Sequence, residues 1–238
     1  MSDVRDIRPK IDLKRRAARK TRLRRLAVLL VVLLLSAALA WLAFFSSVFT
    51  AKNVKVTGNS LVTSEQVVEA AQVQMGVPLA RQNLGELGER VATLPPVKSV
   101  KVSRGWPSSI KIKVTERTPL FQLRVGEQWH WVDEEGVAFY SASEPNEELP
   151  RALAQSPDAE LLVDVAEVLK VLPAEVLEQV TATNAMSPEH IVLELTGDRL
   201  VNWGSSDNSA KKARVLVPLL AQPGQNYDVS APSNPAIS

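Results

Sequence analysis

"VSRGWPSSIKIKVTERTP", residues 102–119, is the stretch on which the fold turns. Ile110, Ile112 and Val114 fall on one side and Lys111, Lys113 and Thr115 on the other, the period of two of a half-buried strand. "VKSVKVS" forms a second strand, linked to the first through "RGWPS". The pair predicts a hairpin whose entry is stiffened by Trp106-Pro107, with Glu116-Arg117 leaving the sheet just before Pro119 ends it.

Upstream, Leu84, Leu87, Val91 and Leu94 recur at helical spacing until Pro95-Pro96, which predicts an amphipathic helix. Before it, Thr63 and Gln66 have the spacing of a capping box, and Val67, Val68 and Ala71 supply an apolar face that Gly76-Val77-Pro78 terminates. "KNVKVTGNS" alternates Val54 and Val56 with polar residues and turns at Gly58-Asn59, so it reads as a strand. The order β-α-α-β-β over about seventy residues is a compact α+β module, too small for an interior cavity but with a usable sheet edge.

Further upstream the charge pattern changes. The 238 residues carry 28 Lys and Arg against 26 Asp and Glu, a net +2. Up to Arg25 there are eleven basic and three acidic residues, net +8, so the remainder is −6. The basicity belongs to the tail and does not by itself point to nucleic acid; 25 residues hold no base-reading fold. No charge occurs from Leu26 to Ala51, and "LAVLLVVLLLSAALAWLAFF" is long enough to cross the ~30 Å hydrocarbon layer of a bilayer. Hydrophobicity runs on past "SAALA" through Trp41 and Phe45, which favours an uncleaved anchor over a signal peptide. The positive-inside rule puts the tail in the cytoplasm and the remaining ~190 residues outside. With no cysteine, that part folds on apolar cores alone, and its length suffices for two small ones.

Downstream, "LFQLRVGEQWHWVDEEGVAFY" predicts a meander broken at Gly126-Glu127 and Glu134-Glu135-Gly136, with Trp129, Trp131 and Val137 inside. "SEPNEELPRALAQSPD" is expected to be a surface loop. Ser156-Pro157 opens a helix whose Leu161, Leu162, Val165, Val168, Leu169 and Leu172 form a stripe suited to covering a sheet. Strands follow over 179–185, 191–195 and 200–203, then a helix over 208–221 and an extended "QNYDVSAP".

A membrane-proximal β-α-α-β-β unit that opens with "VKVTGNS" and closes with Arg104, Trp106, Pro107, Ile110, Ile112, Val114, Glu116, Arg117 and Pro119 resembles the POTRA domain of the FtsQ/DivIB family of bacterial cell-division proteins. The order continues with Val132, Asp133 and Gly136, Leu149-Pro150, Gly204, a helix with Lys211, Lys212, Leu216 and Leu219, and a closing Tyr-Asp-Val-Ser-x-Pro. The resemblance implies an α+β chain: cytoplasmic tail 1–25, transmembrane helix 26–48, POTRA domain 49–118, β-domain with covering helices 119–232 and a short flexible C-terminus 233–238. It implies a non-enzymatic, single-pass scaffold of the plasma (inner) membrane, enriched at the septum, that binds FtsB and FtsL (DivIC and FtsL) by strand addition. FtsK, FtsW and FtsI extend the implied partner set. Carried over by position, Tyr227, Asp228, Val229, Ser230 and Ala231 are the expected docking edge, with Trp203 on a nearby strand; alternation equally allows Tyr227 and Val229 to be core. A proline at Val229 or Ser230 is expected to remove an N–H from that edge.

Other classes lack their residues. The ten glycines spell neither a dinucleotide fingerprint nor a phosphate loop, and His130 and His190 are the only histidines, so no cofactor or metal is expected. His130, between two tryptophans, reads as a half-buried structural residue. Ser206-Asp207-Asn208, and Ser209 with Lys212, match short motifs of penicillin-binding enzymes, but the boxes abut and no K-T-G occurs. Ser206 and Asp207 read instead as helix caps. A hydrolase would need a carboxylate pair, and Asp133-Glu134-Glu135 and Glu147-Glu148 lie in turn signals where solvated acids are ordinary. An envelope-assembly or secretion chaperone would need tandem POTRA units or a barrel, and a sensor a larger cytoplasmic part.

Overall fold

The computed structural model describes residues 8–154 and 158–238, with side chains from residue 22 onward. Helix α1 (Arg8–Phe45) contains the apolar stretch; its Arg22–Phe45 part is 24 residues long, has no buried residue and is sufficient to cross a bilayer. The helix ends three residues short of the expected 48 because Ser46 takes an extended conformation and caps a short 3₁₀ turn, Ser47–Phe49.

The β-α-α-β-β unit follows: β1 (Asn53–Thr57), α2 (Ser64–Ala71), α3 (Leu84–Ala92), β2 (Val97–Gly105) and β3 (Ser109–Glu116). The capping box is present, Thr63 Oγ1 accepting from Gln66 N–H and Gln66 Oε1 from Thr63 N–H. In β3 the expected alternation is complete, with Ile110, Ile112 and Val114 buried against α2 and α3 through Val67, Leu87 and Val91. The sheet order is β1-β3-β2, β1 running parallel to β3 and β2 antiparallel to it. Both outer strands have a free edge within this sheet. Glu116 is tied to the turn after β1: its carboxylate accepts from the N–H groups of Ser60, Leu61 and Val62. Pro119 does not end a strand; it begins the next one.

The second unit is a nine-stranded sheet containing β4 (Pro119–Val125), β5 (Gln128–Asp133), β6 (Ala138–Ala142), β7 (Arg151–Leu153), β8 (Val180–Ser187), β9 (His190–Leu195), β10 (Arg199–Gly204), β11 (Asn226–Asp228) and β12 (Ala236–Ile237). Their spatial order is β12-β11-β10-β9-β8-β7-β4-β5-β6. Helices α4 (Ala159–Lys170), α5 (Ala174–Leu177) and α6 (Ser209–Leu220) complete the unit. Leu161, Val165, Val168, Leu169 and Leu216 meet Phe121, Leu123, Val132, Ile191, Leu193 and Trp203 in one core, so helices cover one face of the sheet.

Three expectations change. Residues 151–153, expected within a surface loop, form β7, which runs parallel to both β4 and β8 and buries Ala152. The loop before it is fastened by buried Gln122, whose amide donates to the carbonyls of Asn146 and Leu149 and accepts from Asn146 N–H. Val137 is exposed, and Trp129 and Trp131 are only half-buried, because they pair with Arg124 and Gln122 on the face away from α4. Val132, the next residue along the strand, falls on the opposite side and joins the core beside its cross-strand partner Phe121. His130 is half-buried as expected, with Ser141 Oγ 3.1 Å from its Nδ1. Ser156 and Pro157 lie outside the described residues; the cap of α4 is Asp158, whose Oδ1 accepts from Leu161 N–H at 2.8 Å.

Candidate partner-binding edge

The expected docking residues gather at one end of the nine-stranded sheet. β11 runs parallel to β10, Tyr227 opposite Val201 and Asp228 opposite Asn202. Alternation turns Tyr227 and Val229 inward, where they are buried; the Tyr227 hydroxyl donates to the carbonyls of Gln222 and Gly224, both at 2.9 Å. Trp203 is also fully buried, its Nε1 donating to Ser209 Oγ at 3.1 Å. Trp203, Tyr227 and Val229 therefore brace the edge from within and offer no side-chain surface, because all three fall on the inward side of their strands. The exposed members are Ser230 and Ala231, with Asp228 half-exposed.

Asp228 organises the turn. It accepts from Ser230 N–H at 2.9 Å and Ser230 Oγ at 2.6 Å on one oxygen, and from Asn202 Nδ2 at 3.0 Å on the other. Partial burial pushes its pKa up, and these donors, helped by Lys212, outweigh that and hold it below its ordinary value. Val229 N–H donates to Asn202 carbonyl at 3.0 Å. The N–H groups that a proline was expected to remove from a free edge are thus already engaged inside the unit.

The outermost strand is one that sequence reasoning missed. Residues 233–238, expected to be a short flexible C-terminus, fold back through a turn (Asn234 N–H to Ala231 carbonyl, 2.8 Å) and lay β12 antiparallel on β11. Asn226 and Ser238 exchange two hydrogen bonds of 3.0 Å, so the next pair, Tyr227 and Ile237, is the non-hydrogen-bonded kind. The N–H and C=O of Ile237 consequently point away from β11, towards the outside of the sheet. Gly224 makes this return possible, since a Cβ there would meet Ile237 Cγ2 at 2.4 Å. Two apolar residues, Ala236 and Ile237, after Pro235 are too short a run to be recognised as a strand in isolation.

The residues that resembled enzyme motifs have structural partners. Ser206 Oγ donates to Asp164 Oδ1 at 2.7 Å, and Ser209 Oγ to Ser206 carbonyl at 2.5 Å. Asn208, not Ser206 or Asp207, stands at the cap position of α6, in a left-handed conformation and without a side-chain cap bond. Lys212 is buried and donates to the carbonyls of Trp203 (3.0 Å) and Ser205 (2.8 Å). Among the described residues no group of three or more His, Asp or Glu gathers as a metal site would require. The acids of the β5–β6 turn are paired: Glu134 with Lys98 and Lys170, Glu135 with Lys98 and Arg117, and Asp133 with Arg117. Glu147 pairs with Arg151.

The apolar helix near the N-terminus is compatible with a single-pass membrane anchor, and it is followed by a β-α-α-β-β unit of the POTRA class and a sheet ending in a short strand. Residues 49–117 match the family described as "POTRA domain, FtsQ-type", and residues 122–231 match "Cell division protein FtsQ/DivIB, C-terminal". The "Cell division protein FtsQ" of Streptomyces venezuelae is 38% identical over 227 residues, covering 90% of this chain and 84% of that protein. That of Mycolicibacterium smegmatis is 36% identical over 209 residues, and the match covers 87% of this chain but 62% of the relative's length. The extracytoplasmic domain of DivIB from Geobacillus stearothermophilus aligns with a TM-score of 0.38 at 13% identity, over 45% of this chain and 93% of that one. The chain belongs to the FtsQ/DivIB family of bacterial cell-division proteins.

Proposed function

We propose that this protein is a non-enzymatic scaffold of the divisome that binds the FtsB/FtsL (DivIC/FtsL) pair by β-augmentation at the β11–β12 end of its sheet. In this reading residues 1–25 are cytoplasmic, the apolar part of α1 up to Phe45 crosses the inner membrane, and the POTRA domain (49–118) and the β-domain, from 119 through β12, lie outside, in a type II orientation at the septum. The POTRA domain meets FtsK, FtsW and FtsI, and the assembly couples early and late division proteins to septal peptidoglycan synthesis. The observation that carries the reading is the outward-facing N–H and C=O of Ile237, one donor–acceptor pair on an edge strand only two residues long, which an incoming strand can engage or displace. Tyr227, Asp228, Val229, Ser230 and Ala231 form the supporting edge, with Trp203 behind it.

The test is capture of the FtsB/FtsL pair by the full chain in detergent. Ile237→Pro removes an outward N–H and spares the Asn226–Ser238 bonds; it is expected to abolish capture with an unchanged far-UV spectrum. Undiminished capture by that variant sinks the edge assignment. Uniform rather than septal distribution of a fluorescent fusion would count against the divisome role.

A further inference from the structure

The residues between the end of α1 and β1 leave no slack. Ser46 N–H donates to Leu42 carbonyl at 3.0 Å, closing the last turn of the helix, and Thr50 Oγ1 closes the 3₁₀ turn on Ser47 carbonyl at 2.9 Å. Ala51 is fully buried and bonded in both directions, its N–H to Val77 carbonyl and its carbonyl from Gly76 N–H, each at 2.9 Å. Lys52 N–H donates to Ser108 carbonyl, at the tip of the β2–β3 hairpin, at 2.8 Å. The anchor thus runs directly into the base of the POTRA unit.

That base exposes apolar side chains from three separate segments. Trp106, at the hairpin tip, is 53% exposed although its ring meets Phe49 edge-on with centroids 5.4 Å apart. Val48 is 59% and Met75 55% exposed, the latter adjacent to the Gly76 that bonds Ala51. A 3₁₀ turn advances about 2 Å per residue, so Phe49 lies within roughly 10 Å of Phe45. The headgroup layer is about 5–8 Å deep on each side of the hydrocarbon, so the Phe49–Trp106 pair falls at that depth. No acidic residue occurs between Asp12 and Glu65, and nothing in the region repels an anionic headgroup.

We propose that the base of the POTRA domain, through Trp106 with Val48, Phe49 and Met75, rests in the phospholipid interface around its own anchor, so that the domain is held against the outer surface of the membrane. An amphipathic indole favours the interfacial layer, where its apolar ring leaves water and its N–H stays hydrated. The inference rests on the reading of α1 as a transmembrane anchor.

The cysteine-free sequence allows a clean test. The full chain is reconstituted in phosphatidylethanolamine–phosphatidylglycerol vesicles with one environment-sensitive fluorophore on Ser108→Cys, on Met186→Cys as an exposed control, or on Leu33→Cys within the span. Headgroup nitroxide lipid is expected to quench the label at 108 several-fold more than that at 186, and Trp106→Ser to reverse most of that difference. Mid-chain nitroxide is expected to quench the label at 33. Equal quenching at 108 and 186, or no effect of Trp106→Ser, overturns the docking while quenching at 33 keeps the anchor. Absence of quenching at 33 overturns the anchor and the docking with it.

Discussion

Arg117, the residue following β3, donates from Nη1 to Oδ2 of Asp133 at the end of β5, so the last step out of the POTRA unit is locked to the first hairpin of the β-domain. Asp133 is 1% exposed, and its other oxygen accepts from the N–H groups of Glu135 and Val137, both at 2.9 Å. Lys98 of β2 reaches the same turn through Glu134 at 2.7 Å. The joint between the two units is therefore a specific set of charge-assisted bonds.

Asp133→Asn keeps the turn-closing acceptor and removes the charge that Arg117 faces. Arg117 keeps Glu135 as a second partner at 2.9 Å, so losing the buried charge of Asp133 costs about 1–2 kcal/mol. Urea unfolding is expected to show that loss, and small-angle scattering of the part that follows α1 a wider spread of inter-unit angles. An unchanged profile in both would mean that the joint holds by other contacts.

The same group sets an acid limit. Burial pushes the pKa of Asp133 up, but Val137 N–H, Arg117 and Glu135 N–H hold it below its ordinary 3.8. Burial likewise raises that of Glu116, and the N–H groups of Leu61, Val62 and Ser60 bring it below 4.5. A carboxyl with a folded pKa below its unfolded one contributes stability that is complete above the unfolded value and lost as pH falls through the folded value. Stability is thus expected to be flat with respect to these groups down to about pH 5 and to fall below it, with Asp133→Asn and Glu116→Gln each reducing the slope. Chemical denaturation along a pH series measures this.

Lys212 behaves in the opposite sense. Burial lowers its pKa from 10.5, opposed by Asp207 and Asp228. The folded state then binds that proton less tightly than the unfolded chain, so stability rises with pH between the lowered value and 10.5. Lys212→Met is expected to remove this alkaline rise and to cost about 1–3 kcal/mol, because the carbonyls of Trp203 and Ser205 lose their donor. A variant as stable as the parent at neutral pH would refute the role.

Gly136 occupies the β5–β6 turn at φ +76°, and a Cβ there would come within 2.7 Å of the Val163 backbone in α4. Gly136→Ala is expected to lower stability by about 1–3 kcal/mol, more than the same change at Gly126, which has φ +63° but open space around it. Thermal melts of the two variants give the comparison.

The POTRA unit was legible because Ile110, Ile112, Val114, Leu87 and Val91 have one buried face each and periodicity reports that directly. β7 was not, since three residues after Leu149-Pro150 carry no period and owe their strand state to β4 and β8 on either side. The burial of Trp203, Tyr227 and Val229 was half legible: alternation groups them with Val201, but which side faces the helices is set by packing from α6. β12 was hidden for the same reason as β7. Its partner supplies the pattern that two residues cannot.

The parallel pairing of β1 with β3 has a mechanical meaning for a chain in which an apolar helix long enough to cross a bilayer leads straight into the first strand. Tension from the anchor enters β1 at Asn53, and tension towards the β-domain leaves β3 at Glu116. Because the strands run the same way, the two pulls slide one strand along the other, and the five registered pairs from Asn53–Ser109 to Thr57–Lys113 carry the load together instead of opening one at a time. Single-molecule stretching between residue 46 and residue 119 is expected to give one sharp rupture, whereas pulling across the antiparallel β2–β3 hairpin from Val97 and Glu116 unzips it at lower force.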